Sequence, residues 1–174
     1  MYQLREAVDD EVREALREHS DVVATLLHAR GVTTGEDAEV FLNPDYEKGL
    51  HDPLLLKDCE KAAKRILKAV ENGEKICIYS DYDADGIPGA VVLSDFFRKV
   101  SYDNVVNYIP HRNREGFGLN DMAVTSLADD GVNLVVTIDC GIGSALEVAH
   151  ANELGMDVII TDHHLAHEEV PEAY

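Results

Sequence analysis

The chain is short of cysteine, of basic side chains and of long apolar runs, and each shortage excludes something. Its three cysteines, Cys59, Cys77 and Cys140, are odd in number and far apart, with no C-x-x-C pair. That excludes a disulfide framework and a structural zinc site, and it fits a reducing cytoplasm. No apolar run approaches the ~20 residues that a spanning helix needs, so no membrane partner is expected. The opening MYQLREAVDD is polar and acidic, without an apolar signal region. Fifteen Lys and Arg face 34 Asp and Glu, for a net charge of −19. So acidic a surface repels a polyanion and lends no general affinity for nucleic acid. A nucleic-acid substrate would have to be held by a local basic patch and by metal ions. Internal repeats and low-complexity segments are also missing. What is present is a 45% hydrophobic content over 174 residues, enough for one medium domain with a small appendage and too much for disorder.

Residues 1–50 carry helical periodicity and few strand signals. DDEVREALREHSDVVATLLHARGV has apolar residues at helical spacing, broken near His19–Ser20 and ended by Gly31. TTGEDAEVFLNP predicts a short helix from about Thr34 that stops before Pro44, and DYEKGLHDPLLL reads as a connector. LKDCEKAAKRILKAVENGEK is a helix of good formers with Ala62, Ile66 and Val70 on one side and Gly73 to stop it. Beyond it the rhythm alternates. KICIYS (75–80), NVVNYIP (104–110), NLVVTID and DVIITD predict strands, separated by helices at GIPGAVVLSDFFRKV, LNDMAVTSLADDG and SALEVAHANELG. The expected fold is α/β: a parallel sheet with helices on both faces, preceded by a helical N-terminal region. The division expected is a lead-in over 1–50 and a second domain over 51–174.

In such sheets ligands bind beyond the carboxyl ends of the strands. Asp81, Asp83 and Asp85, in DYDADG, follow the first strand; Asp139 follows the third; Asp162, His163 and His164 follow the fourth. All the clusters of metal-ligand type therefore fall at the same end of the same sheet. D-x-D-x-D-G also opens an EF-hand loop, but that loop needs a preceding helix and a glutamate at its twelfth position, where Val92 stands. DADGI approximates the D-x-D-G-T of haloacid-dehalogenase phosphatases, with Ile87 in place of the threonine and a histidine pair that chemistry does not use. Aspartates with imidazoles favour Mn²⁺ or Mg²⁺, the histidines tilting the choice toward Mn²⁺. Each piece has a plainer reading: Asp85 as a helix cap, Asp139 as a turn residue, the histidines as loop side chains. DCGIGS adds Gly141 and Gly143 for a sharp turn and Ser144 to cap the next helix, whose free N–H groups would attract a phosphate. An ordinary tight turn remains the alternative there. The stripe Lys57, Lys61, Lys64, Lys68 reads as a solvated helix face.

Taken together these residues resemble the DHH phosphoesterase superfamily, named for its Asp-His-His motif, and most of all its single-strand-specific exonuclease branch. The likeness extends through LLHARGVTTGEDAEVFLNP, LHDPLLLKDCEKAAKRILKAVENGEKICIYSDYDADG, PHRNREGFGLN and TDHHLAHEEVPEA, from about residue 24 to the end. The resemblance implies a cytoplasmic phosphodiesterase that degrades single-stranded DNA from the 5′ end in repair and recombination. Replication or repair proteins would be its partners. It implies that Asp83, Asp85, Asp139 and His163 ligate metal, with Asp139 bridging two ions, Mn²⁺ or Mg²⁺, and His164 serving as a ligand or as a contact to the scissile phosphate. Asp81 and Asp162 take supporting roles. Arg112 and Arg114 would hold a phosphate and Phe117 would stack on a base; a solvated turn is the competing reading of that loop. Other DHH proteins cleave short oligoribonucleotides or cyclic dinucleotides, and inactive relatives serve as binding modules, so these stand as alternatives. Pro88 departs from the threonine usual after DADG. The family's further acidic ligand and second domain, of DHHA1 type, are expected beyond Tyr174, which reads as a truncation of the catalytic domain.

Overall fold

The computed structural model describes residues 7–166 and 169–174; residues 1–6 and 167–168, the latter inside the TDHHLAHEEVPEA stretch, lie outside them. The chain divides into two compact units, Met1–Leu55 and Leu56–Tyr174.

The first unit is helical. α1 (Asp10–Ala15), α2 (Asp21–His28) and α3 (Gly35–Leu42) each begin at a residue whose side-chain oxygen accepts a first-turn N–H: Asp9, Ser20 and Thr34. Their apolar sides meet in a small core of Leu16, Ala24, Leu27, Val32 and Ala38. The stretch read as a plain connector contains a helical turn, α4 (Tyr46–Gly49), and a 3-10 turn, Pro53–Leu55. The cause of α4 is local: Asp45 accepts from the N–H groups of both Glu47 and Lys48.

The second unit is the α/β domain. Helix α5 (Cys59–Asn72) ends at Gly73 in the left-handed conformation. Then follow β1 (Lys75–Ser80), α6 (Gly86–Lys99), β2 (Val105–Tyr108), α7 (Asp121–Asp129), β3 (Val132–Ile138), α8 (Ala145–Glu153) and β4 (Asp157–Thr161). β2 is shorter than its apolar run suggested, ending before Ile109 and Pro110. The strands form one parallel sheet in the order β2-β1-β3-β4.

Alternation along the strands divides the core in two. Ile76, Ile78, Leu134, Val136 and Ile159 face α5 and α6, through Ala69, Ala90 and Phe97. Cys77, Tyr79, Val135 and Val158 face α7 and α8, through Ala123, Val124, Leu127, Val148 and Ala151. A fully buried Ile or Val contributes ~2 kcal/mol before entropy is counted, so the ladder of such residues sets the strand register. Gly89 keeps α6 close to the sheet, because a Cβ there would come within 2.6 Å of the Ile138 methyl group. Among the described residues, no helix is long and apolar enough to cross a membrane.

β1 connects to β2 on one side and β3 lies on the other, so the order reverses between β1 and β3. Crossovers leave on opposite faces at such a switch point and open a crevice beyond the strand ends.

Candidate metal centre

Register brings the three motifs level. Ser80 of β1 is paired with Ile138 of β3, and Ile138 with Thr161 of β4. The ladder runs one bond further at each junction: Asp81 N–H donates to Ile138 O (3.1 Å) and Asp139 N–H to Thr161 O (2.8 Å). Asp81, Asp139 and Asp162 are thus the next residues along three neighbouring strands, at the switch point.

Local backbone geometry then aims the side chains. In DYDADG the Asp83 Oδ1 accepts the N–H groups of Asp85 (2.9 Å) and Gly86 (3.1 Å), so Asp83 closes the turn, while Asp85 makes no side-chain cap bond. Gly86 is required by a close approach: a Cβ would lie 2.4 Å from the Asp81 carbonyl oxygen. Asp139 takes φ +60°, a left-handed conformation rare outside glycine, and Gly141 follows at φ +109°. Ser144 occupies the N-cap position of α8, but its side chain makes no cap bond; it is buried and faces Gly118. Gly143, in the same turn, is exposed.

Two groups of ligand atoms result, each within 4.8 Å: Asp81, Asp83 and Asp139, and Asp139 with His163 and His164. Asp139 belongs to both. His163 Nε2 stands 3.0 Å from Asp139 Oδ1, and His164 Nδ1 stands 3.9 Å from it. Asp85 is in neither group, but it lines an open depression together with Asp139, Thr161, Asp162 and His163. Asp162 is a tether: Oδ2 accepts from Ile142 N–H (3.0 Å), and Oδ1 from His164 N–H (3.0 Å), with His164 Nδ1 at 2.7 Å. It therefore joins the third motif to the second and orients the His164 ring.

The electrostatics follow from this crowding. Burial, then the neighbouring Asp83 charge, push Asp139 above the usual carboxylate range, against the pull of the two histidines. The Gly86 and Asp85 N–H groups hold Asp83 below that range. Burial would raise Asp162, but the Ile142 and His164 N–H groups outweigh it and hold it low. The bond from Asp162 raises the His164 imidazole above its ordinary value. Asp81 Oδ1 is buried with no hydrogen-bond partner, and the buried Asp139 Oδ1 has only the imidazole contact from His163 at 3.0 Å. Unsatisfied carboxylate oxygens crowded among like charges are costly unless a cation lies between them, so the donor set fits a hard or borderline divalent metal.

The loop between β2 and α7 reaches the same edge. Arg112 lies over the Tyr82 ring, 5.1 Å from guanidinium carbon to centroid, and Phe117 meets His164 edge-on at 5.5 Å. Arg114 is exposed on the same loop. Tyr82 was missed in the sequence because it sits among the aspartates and has no ligand chemistry of its own. The lysine stripe does not join the site; Lys57 pairs with Asp58, Lys64 with Glu60, and Lys61 lies over Tyr174.

A parallel sheet whose switch-point aspartates meet an Asp-His-His strand end defines a class of protein. The chain belongs to the DHH family, whose N-terminal domain matches residues 75–174. It is 43% identical over 151 residues to the single-stranded-DNA-specific exonuclease RecJ of Bacillus subtilis, covering 87% of this chain and 19% of that protein. The RecJ of Escherichia coli is 32% identical over 171 residues, covering 98% of this chain and 29% of that protein. Among solved structures, exonuclease RecJ bound to manganese superposes with a TM-score of 0.65 at 33% identity, over 71% of this chain and 32% of the other. RecJ from Thermus thermophilus in complex with Mn²⁺ gives 0.62 at 29% identity, over 94% of this chain and 22% of the other. The chain therefore spans less than a third of the relatives it matches.

Proposed function

We propose that this chain is the metal-binding core of a Mn²⁺-dependent phosphodiesterase that hydrolyses single-stranded DNA from its 5′ end in the manner of RecJ. The observation that carries the reading is the pair of ligand groups sharing Asp139 at the switch point. Asp83, Asp139 and His163 supply the ligands in this reading, with Asp81 a further carboxylate within reach and Asp85 lining the same depression as Asp139 and His163. Bound metal would activate a water and offset charge on the transferring phosphoryl group. Asp162 occupies one ring nitrogen of His164 and leaves the other for the phosphate. Arg112 and Phe117 offer a cation and a stacking face to the strand, which a chain of net charge −19 needs locally. The similarity to RecJ supports a place in DNA repair and recombination, in the cytoplasm and among replication or repair proteins. The α/β domain would be the DHH part of a larger architecture in which a second domain grips the strand.

The test is hydrolysis of a 5′-labelled single-stranded oligonucleotide in Mn²⁺, with a dinucleotide as competing substrate and Asp83→Ala as control. Release of label by the parent alone, with the long strand preferred, is expected. Equal activity of Asp83→Ala, or preference for the dinucleotide, would overturn the proposal.

A further inference from the structure

The loop HRNREGFG has the composition of a solvated turn, yet it is fastened to the domain at several points. Glu115 does most of the fastening. Its Oε1 accepts from the Tyr108 hydroxyl, with Asn120 Nδ2 at 3.5 Å, and its Oε2 accepts the His111 N–H at 2.6 Å. Tyr108 is the last residue of β2 and Asn120 is the N-cap of α7, so one carboxylate is tied to both ends of the loop. A second tie lies beneath. The Tyr108 ring stacks on Tyr79 at 5.1 Å, the Tyr79 hydroxyl donates to Gly118 O (2.9 Å), and Asn120 Nδ2 donates to the Tyr79 oxygen (3.3 Å). Between the ties, Gly116 and Gly118 take φ +86° and +81°, which the reversal of the chain requires.

Burial first, and Glu115 second, push the Tyr108 phenol up to about 12, which keeps it a donor throughout the neutral range. The carboxylate is thereby engaged by donors. That matters here, because an unengaged negative charge beside a phosphate path would oppose binding. The fastened loop carries Arg112, over the Tyr82 ring of the first motif, and Phe117, against the His164 ring of the third.

We infer that Glu115 is a positioning residue that holds the 111–118 loop in the shape that presents Arg112 and Phe117 to a nucleic-acid strand. The inference rests on the function proposed above. It separates two roles within one loop: Arg112 and Phe117 touch the strand, and Glu115 acts through them.

The experiment compares Glu115→Ala, Glu115→Gln and Tyr108→Phe with the parent by amide hydrogen exchange and by steady-state hydrolysis of a single-stranded oligonucleotide in Mn²⁺. In Glu115→Ala, exchange across 111–118 should rise while β1 and β3 stay protected, and KM should rise about tenfold with kcat within about twofold. Glu115→Gln keeps an acceptor for His111 N–H and an amide that can donate to the Tyr108 oxygen, so it should recover most of the loss. Tyr108→Phe, which removes one donor and little volume, should fall between them. Unchanged loop exchange, a loosened loop with unchanged KM, or a fall in kcat alone would each overturn the inference. A parent that hydrolyses no strand would sink the proposed function instead, and the exchange comparison would then decide the clamp by itself.

Discussion

His163 Nε2 lies 3.0 Å from Asp139 Oδ1, although the two residues leave the sheet on different strands, 24 positions apart. The register of β3 and β4 makes that meeting possible, and the left-handed backbone at Asp139 points its carboxylate at it.

The strain at Asp139 predicts a trade between stability and activity. A left-handed conformation costs an L-residue roughly 1–2 kcal/mol, and this one also carries a buried, crowded carboxylate. Asp139→Gly should leave the metal-free protein at least as stable as the parent, by thermal denaturation, while abolishing Mn²⁺-dependent hydrolysis. A clear loss of metal-free stability would show that the side chain supports the fold.

Gly86 admits no side chain. Gly86→Ala would place a Cβ 2.4 Å from the Asp81 carbonyl oxygen, and backbone cannot move aside as a flexible side chain would. Overpacking of this kind costs about 1–3 kcal/mol. Urea denaturation should register that loss, and hydrolysis should fall because the Asp81–Asp83 turn is displaced. Parent-like values in both assays would contradict the packing described.

Phe117 predicts a loss confined to binding. Stacking on an aromatic ring contributes about 1–3 kcal/mol per base, so Phe117→Ala should raise the KM for a single strand and leave Mn²⁺ affinity unchanged. A parent-like KM would remove Phe117 from the strand's path.

Away from the site, Arg65 predicts a pH dependence of stability. This buried guanidinium donates from Nε to Asp157 (2.6 Å) and from Nη2 to Glu74 (2.6 Å), tying α5 to the start of β4 and to the turn before β1. Burial would raise Glu74, but bonds from Asn72 and Arg65 and the Arg65 charge outweigh it and hold its carboxyl below the ordinary 4.5. A depressed acid stabilises the fold above its unfolded value, and that contribution is lost as pH falls through the folded one. Thermal stability should therefore decline below about pH 4.5, and Glu74→Gln should flatten that limb. Arg65→Ala should cost about 1–3 kcal/mol at neutral pH, by removing two charge-assisted hydrogen bonds to partners that are only partly buried.

Much of this was legible in the sequence because it depends on short-range pattern. KICIYS is an apolar run bounded by polar residues, and β1 occupies those same residues, 75–80. The gathering of the motifs followed from parallel topology alone, since every cluster sat just past a strand. Finer geometry was hidden because it depends on contacts between segments. The period of DYDADG does not reveal that Asp81 and Asp83 group with Asp139 while Asp85 lines the depression beside them. Ser144 has the residue type of a cap, but burial against Gly118 takes its side chain elsewhere. Glu115 looks solvated until Tyr108 and Asn120, at the two ends of its loop, are seen to converge on it. Arg65 lies in a lysine-rich helix and gave no sign of its partner Asp157, 92 residues away.

The most direct test of the central claim is the loss of the free Mn²⁺ electron paramagnetic resonance signal on titration with this chain, repeated with Asp139→Ala. The shared-carboxylate arrangement predicts that the parent removes the signal and that Asp139→Ala returns most of it, with the helical circular dichroism of the two proteins alike. A parent that leaves the free Mn²⁺ signal intact, or a variant that binds as the parent does, would contradict a metal centre built around Asp139.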